Sequence, residues 1–107
     1  MKLRILDDIV TTVGAIHRLC RIVARQDADL AKQMRRAMNS VGLNAGEGLL
    51  PAAIAPPESA MNSGREVILG LRIAGAAGYL EPARVAREVD NLDRVVATLY
   101  KLAYRSR

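Results

Sequence analysis

The sequence predicts an all-α protein, a single domain whose four helices form an up-down-up-down antiparallel four-helix bundle. Four segments repeat apolar residues every three or four positions, and none alternates with a period of two. The 107 residues include no Phe, no Trp and only three Tyr, so Leu, Ile, Val, Met and Ala must fill the interior. These side chains suit close helix packing, and a chain of this length buries one core.

The first two helices are predicted over residues 3–25 and 28–48. Asp27 or Asp29 can cap the second helix, because an aspartate at this position accepts hydrogen bonds from the free N–H groups of the first turn. The first helix would bury a seam of heptad type formed by Leu6, Ile9, Val13, Ile16, Cys20 and Val23. The second would bury Leu30, Met34, Ala37 or Met38, Val41 and Ala45.

The other two helices are predicted over residues 58–80 and 82–104. Prolines in the apolar segment 49–57 break the chain, and this segment is expected to lie against the bundle. Pro82 marks the start of the fourth helix, since proline is favoured in a first turn. The third helix would bury Val67, Leu71, Ala74 and Gly78. The fourth would bury Val85, Val89, Leu92, Val96, Leu99 and Ala103.

The lengths of the helices and of their connections predict how they are arranged. A helix of about twenty residues is roughly 30 Å long at 1.5 Å per residue. Short connections between helices of equal length favour antiparallel neighbours. The sequence leaves open a pair of helical hairpins that completes its core by dimerising, although four comparable apolar seams argue against it.

The composition favours an anionic partner and a reducing compartment. The formal charge is +5 and the pI about 10.0, which fits nucleic acid among other anions. Cys20 is the only cysteine and cannot form an internal disulfide. The N-terminal residues predict no signal peptide, and no apolar run approaches the roughly 18 residues of a membrane span. The sequence therefore predicts a cytoplasmic protein.

Few residues of this sequence suit catalysis or metal binding. His17, the only histidine, borders the first apolar seam, where a structural role is expected. A di-metal site in a four-helix bundle needs Glu-x-x-His on facing helices, and the sequence has no such motif. It also has no Cys/His metal set, no phosphate-binding glycine loop and no Gly-x-Ser-x-Gly elbow. We therefore expect no enzymatic activity, no metal and no cofactor.

Arginine dominates the basic residues and concentrates on the first and fourth helices. Thirteen of the sixteen bases are arginine, the better residue for bidentate phosphate contacts. The nucleic-acid-binding candidates are Arg18, Arg21, Arg25, Arg87, Arg94 and Lys101. One interpretation is a solvated face whose ion-pair partners are Glu88, Asp90 and Asp93. The other is a surface that follows phosphates, with contacts mostly to the backbone because no aromatic residue interleaves the bases.

A polar row near the end of the second helix is the most unusual feature of the chain. Ser40, Asn44 and Glu47 lie one turn apart, with glycines at positions 42, 46 and 48 among them. The row could simply end the helix at the surface. Alternatively it forms hydrogen bonds between helices or subunits, with Arg36 or Arg65 as a partner. The glycines favour the second interpretation, because small residues let another backbone approach.

The same segment carries a resemblance to a known family. Residues 33–48 read Gln-Met-Arg-Arg-Ala-Met-Asn-Ser-Val-Gly-Leu-Asn-Ala-Gly-Glu-Gly. They resemble the signature Gln-Leu-Arg-Arg-Ala-x-x-Ser-Ile-x-x-Asn-Ile-Ala-Glu-Gly of the four-helix-bundle proteins encoded in ribosomal-RNA intervening sequences. The accessory variability determinant proteins of diversity-generating retroelements share that fold. Residues 78–81, Gly-Tyr-Leu-Glu, look like the turn before the family's last helix. The matching signature positions are Gln33, Arg35, Arg36, Ala37, Ser40, Asn44, Glu47 and Gly48.

The resemblance implies a homopentameric ring and, in the retroelement branch, binding of nucleic acid and of a reverse transcriptase. Two departures bear on this expectation: Ala45-Gly46 replaces the family's Ile-Ala, and segment 49–57 lacks the family's basic residues. The resulting hypothesis is a non-enzymatic, homo-oligomeric basic scaffold for RNA or DNA backbone, accessory to a retroelement reverse transcriptase. The alternatives are a structural or protein-interaction ring without nucleic acid function, and a regulatory partner in a toxin–antitoxin pair.

Overall fold

The computed structural model describes residues 2–49 and 57–105, with side chains over 4–45 and 58–101. These residues form four α-helices and no strand, which confirms the predicted all-α four-helix bundle. The helices are α1 (Lys2–Val23), α2 (Ala28–Leu49), α3 (Pro57–Ala76) and α4 (Pro82–Arg105). Each helix packs on the preceding one and α4 returns to α1, in a bundle of 42 × 22 × 19 Å.

The core is aliphatic and sulfur-containing, as the composition requires. The bulkiest fully buried side chains are Ile9, Ile16, Met34, Met38, Leu71, Leu92 and Leu99. The buried face of α1 is shifted from its predicted seam, because Ile5 and Leu19 are buried whereas Leu6 and Val13 stay half-buried. The apolar period alone does not show that α1 must pack against α4 as well as α2.

The cap of α2 is Asp27 rather than Asp29. The Leu30 backbone N–H donates to Asp27 Oδ1 at 3.0 Å, which satisfies one free donor of the first turn. Asp29 instead lies inside that turn and accepts from Gln33 Nε2 at 2.8 Å. Segment 50–56, most of the stretch expected to lie against the bundle, is outside the described residues.

The helix α3 ends at Ala76 rather than at residue 80, and Gly78 lies exposed in the turn that follows it. Gly78 has a φ of 80°, which favours glycine. The Tyr79 N–H donates to the Ala74 carbonyl at 2.8 Å and the Gly78 N–H to the Gly75 carbonyl at 3.1 Å, the two bonds of a Schellman motif. The sequence prediction that Gly78 lies on the buried face of the third helix was wrong for this reason.

Two glycines of α3 allow close helix packing, Gly64 against α4, where an added Cβ would lie 2.8 Å from Val96 Cγ2, and Gly70 against α2. A Cβ added at Gly70 would lie 2.6 Å from Met34 Cγ, so α2 and α3 approach there only because the side chain is missing. A Cβ added at Gly42 would lie 3.6 Å from Val13 Cγ2, an ordinary contact. Within one chain no close approach occurs at Gly42, while positions 46 and 48 lie outside the described side chains, and the approach of a second subunit at these glycines stays a prediction. No helix in the described ranges is both long and apolar enough to cross a membrane.

Candidate nucleic-acid interface

A groove between α1 and α4 lies beside most of the predicted nucleic-acid-binding residues. These two helices share the thinnest of the four neighbour contacts in the bundle. The space left between them has a volume of about 330 Å³. It is lined by Ile5, Asp8, Thr11 and Thr12 of α1 and by Asn91, Arg94, Val95 and Thr98 of α4.

Of the predicted candidates only Arg94 lines this groove, and several other bases of α1 and α4 lie on helix rows that pass through its edges. Residues seven apart lie on the same face of a helix, so the row of Thr11 on α1 also contains Arg4 and Arg18, while Arg25 lies in the turn that follows α1. On α4, the rows of Asn91 and Arg94 contain four bases. They are Arg84, Arg87, Arg94 and Lys101, and all are exposed. We call these four bases of α4, together with Arg4, Arg18 and Arg25, the basic face.

The basic face includes five of the six predicted candidates and two bases that were not predicted. Arg21 lies on the adjacent row of α1, with Asp7 and Gly14, and is further from α4. Arg4 and Arg84 were not predicted, although Arg84 lies three residues before Arg87 and Arg4 lies fourteen residues before Arg18. The period of seven that connects Arg4 to Arg18 was the available signal, but only the groove shows which rows face each other.

Most side chains of the basic face are free to contact an anion. Arg94 pairs with Asp90 at 3.0 Å, and both side chains are about 70% exposed, so this pair is weak. Within the described side chains, the other five candidates have no carboxylate within ion-pair distance. The interpretation of a solvated face with ion-pair partners therefore fits Arg94 alone.

The three acidic residues of α4 differ in how close they lie to the basic face. Asp90 and Asp93 line a different groove, between α4 and α3, together with Arg72. Glu88 is half-buried and accepts a hydrogen bond from Asn91 Nδ2 at 3.1 Å. Glu88 and Asp90 thus contact Asn91 and Arg94, which line the α1–α4 groove, and only Asp93 has no such contact. The seven bases of the basic face outnumber these acids, so this side of the bundle is positively charged.

The polar row of α2 forms a link between α2 and α3 within the chain. Ser63 Oγ donates to Ser40 Oγ at 2.8 Å, and Asn44 Nδ2 donates to the same oxygen at 2.8 Å. Neither suggested arginine takes part, because Arg36 is exposed and Arg65 donates to Asn62 Oδ1 at 3.3 Å. Glu47 lies outside the described side chains, so its expected role stays a prediction.

His17 and Cys20 lie apart from the basic face. His17 Nε2 is 2.8 Å from Asn39 Oδ1, a hydrogen bond that joins α1 to α2. Burial raises the pKa of the Cys20 thiol, and the charge of Arg35 lowers it in part, so the sulfur stays neutral and unreactive near neutral pH. Among the described residues, no three His, Cys, Asp or Glu side chains are close enough to hold a metal ion.

Apolar side chains are exposed on the sides of the bundle away from the basic face. Val10 and Leu43, exposed by 70% and 69%, flank a groove of about 340 Å³ between α1 and α2. Leu69 and Ile73, exposed by 59% and 46%, lie beside a smaller recess between α2 and α3. Exposed apolar clusters of this kind mark contact surfaces more often than isolated residues do.

Comparisons of the chain with protein-family models, with curated proteins and with solved structures give no match. The resemblance to the intervening-sequence and retroelement proteins therefore rests on residues 33–48 and 78–81 alone, and it stays a prediction.

Proposed function

We propose that this protein is a non-enzymatic, homo-oligomeric scaffold that binds the backbone of RNA or DNA along its basic face. The observation that carries the proposal is the pair of exposed basic rows on the two edges of one groove. A groove concentrates the field of charges on both of its walls, so phosphates are attracted into it rather than to either helix alone. Exposed guanidinium groups without ion-pair partners lose little when they contact a phosphate.

The spacing of the rows suits a polyanion better than a single small anion. Seven residues of helix span roughly 10.5 Å at 1.5 Å per residue. One nucleic acid strand places a phosphate about every 3.4 Å, so successive bases of a row would meet about every third phosphate. The contacts are therefore expected to be electrostatic and independent of sequence for most of their energy.

The salt dependence of RNA binding tests this proposal. We expect fluorescently labelled oligouridine to bind at low salt, and its affinity to fall linearly on a log–log plot between about 50 and 200 mM salt, through counterion release. The double variant Arg18→Gln with Arg87→Gln removes one base from each edge of the groove. Its slope should be smaller by about 1.4, or about 0.7 for each lost contact to a single strand.

The matched control removes the same charge from α3, away from the groove. Arg65→Gln with Arg72→Gln lowers the net charge equally, and both arginines are exposed. Its slope should stay at the wild-type value. Equal changes in both double variants would show that only net charge matters, and no binding at low salt would remove the proposal.

The oligomer in this proposal is supported by the two exposed apolar sites. They lie on different sides of α2, so contact between one site and the other on a second copy would be head-to-tail, which closes into a ring or extends into a filament.

The pentameric ring size and the reverse transcriptase partner are supported by the family resemblance alone. A reverse transcriptase gene beside this one would favour that partner, and a position inside a ribosomal RNA gene would favour the intervening-sequence branch.

The alternative function is a structural or protein-interaction ring that binds no nucleic acid. The same four apolar side chains, Val10, Leu43, Leu69 and Ile73, favour it, because they offer contact surfaces without any role for the arginines. A protein that forms oligomers but binds no nucleic acid at low salt would support this alternative over the scaffold.

A further inference from the structure

A polar recess lies in the α1–α4 groove, where Arg4 and Arg18 flank it along α1. Its floor is apolar and is formed by the buried side chains of Ile5 and Val95. Its walls are polar and are contributed by both helices. At about 330 Å³ it lies at the small end of ligand pockets, so it suits one flat heterocycle rather than a large ligand.

A carboxylate in this position needs explanation, because Asp8 would repel a phosphate that followed the basic rows. Within the described part of the chain, its carboxylate accepts no hydrogen bond and makes no ion pair with Arg94 on the opposite wall. The neighbouring Thr12 hydroxyl donates to the Asp8 backbone carbonyl at 2.8 Å and leaves the carboxylate untouched. Both carboxylate oxygens therefore remain available to a ligand that offers N–H donors.

The opposite wall offers donors. Arg94 is held by Asp90 and Asn91, which together use two of the five N–H donors of its guanidinium group. The remaining N–H groups can donate to a ligand. The Thr98 hydroxyl donates to the Arg94 backbone carbonyl at 2.9 Å, so its oxygen remains as an acceptor. The recess thus combines a carboxylate on one side, a guanidinium on the other and an apolar floor.

We propose that this recess binds a guanine base of single-stranded RNA or DNA. This proposal rests on the nucleic acid function proposed above and specifies which base is bound. Guanine presents N1–H and N2–H side by side, matching the two oxygens of Asp8, and its O6 and N7 are acceptors that suit arginine. Adenine, cytosine and uracil each place an acceptor beside the donor on that edge, and this acceptor would face the carboxylate. The ring would lie on Ile5 and Val95, so no aromatic partner is required.

The test compares oligomers that differ only in one purine. Labelled RNA of GUU repeats is compared with AUU repeats, and DNA of GTT repeats with ATT repeats, by fluorescence anisotropy on the full chain. We expect the guanine oligomer to bind at least about fivefold tighter, the discrimination of one paired contact. Comparison of the RNA repeats with the DNA repeats shows whether the recess binds guanine from RNA, from DNA or from both.

Asp8→Asn should bring the ratio of the two affinities to about one, because its amide N–H₂ would face the guanine donors. Asp7→Asn is the matched control: Asp7 is the adjacent residue, exposed on the outer face of α1, and the charge change is identical. It should raise both affinities slightly and keep the ratio. Equal binding of guanine and adenine oligonucleotides by the wild type, or an unchanged ratio in Asp8→Asn, would overturn the proposal of a guanine site in the recess. The proposal of a nucleic-acid-binding scaffold would be unaffected. Loss of binding to every oligomer at low salt overturns both.

Discussion

Single residues decide how closely the helices of this bundle approach. The sequence drew attention to the glycines of α2, since glycine is unfavourable within a helix by about 1 kcal/mol relative to alanine. The structure instead places tight contacts on α3, at Gly64 and at Gly70, and the missing side chain of Gly70 makes room for Met34. Gly42 has ordinary surroundings and carries no such steric reason. The two glycines have the same helix-propensity cost, but of the two only Gly70 permits a close contact between helices.

Alanine substitutions at these two glycines should act in opposite directions. Gly70→Ala should destabilise the protein by about 1–2 kcal/mol, because its Cβ overpacks Met34 and this outweighs the gain in helix propensity. Gly42→Ala should be neutral or stabilising by up to about 1 kcal/mol, because the new Cβ meets Val13 at contact distance. Urea unfolding of both variants measures the difference. A Gly70→Ala protein as stable as Gly42→Ala would show that the Met34 side chain moves aside at little energetic cost, contrary to the prediction.

At the scale of the helices, a polar link fixes α2 against α3. The hydroxyl of Ser40 accepts hydrogen bonds from Ser63 of α3 and from Asn44 one turn along α2, and these side chains are half-buried. Polar groups in such a position cost stability when a partner is removed, because the remaining donor loses its acceptor away from water. The link thus favours one alignment of the two helices over others with similar apolar contacts.

Removal of this link should cost more than removal of an exposed ion pair. Ser40→Ala and Asn44→Ala should each destabilise by about 1 kcal/mol, while Arg94→Ala should change stability by less than about 0.5 kcal/mol. A double-mutant cycle with Ser40→Ala and Ser63→Ala should give a coupling of at least about 0.5 kcal/mol, because the two hydroxyls contact each other. Equal thermal midpoints for all the single variants would contradict a half-buried link.

The helices were predictable from the sequence, whereas their facing surfaces were less so. Apolar residues at helical spacing predicted four helices. The helix α2 begins directly after its cap Asp27, and α4 begins at Pro82, as predicted. The end of α3 depended on the left-handed conformation of Gly78, which the period of its neighbours does not reveal. The basic candidates were predictable from charge, but the groove that unites them depends on which rows of α1 and α4 face each other. The recess around Asp8 gave no sequence signal, because its residues come from two helices and match no motif.

At the scale of the whole molecule, charge and apolar surface lie on different sides of the bundle. The basic face follows α1 and α4, whereas four of the five large apolar residues exposed in the described ranges lie around α2, and the fifth, Tyr100, lies on α4. Subunits that associate through the α2 side would keep their basic faces open to solvent. This arrangement allows one assembly to present several basic faces to a single nucleic acid, which raises the total affinity without new contacts.

Leu69→Asp should disrupt the assembly without unfolding the subunit. Leu69 is 59% exposed, so a charge there costs the folded monomer little but would be buried at an apolar contact. Light scattering at micromolar concentration should give a multiple of 11.6 kDa for the wild type and a smaller mass for the variant. Ala97→Asp adds the same charge at an exposed position of α4 outside both apolar sites and should keep the wild-type mass. A wild type that is monomeric removes the oligomer from the proposal.

Chemical footprinting of arginine tests the central claim, the basic face, most directly. A dicarbonyl reagent modifies exposed guanidinium groups, and mass spectrometry measures modification at each residue with and without bound oligouridine. Nucleic acid should protect Arg18, Arg87 and Arg94 on the two edges of the groove, while Arg65 and Arg72 on α3 should react at unchanged rates. Protection of the α3 arginines, or equal protection everywhere, would contradict a nucleic acid site between α1 and α4.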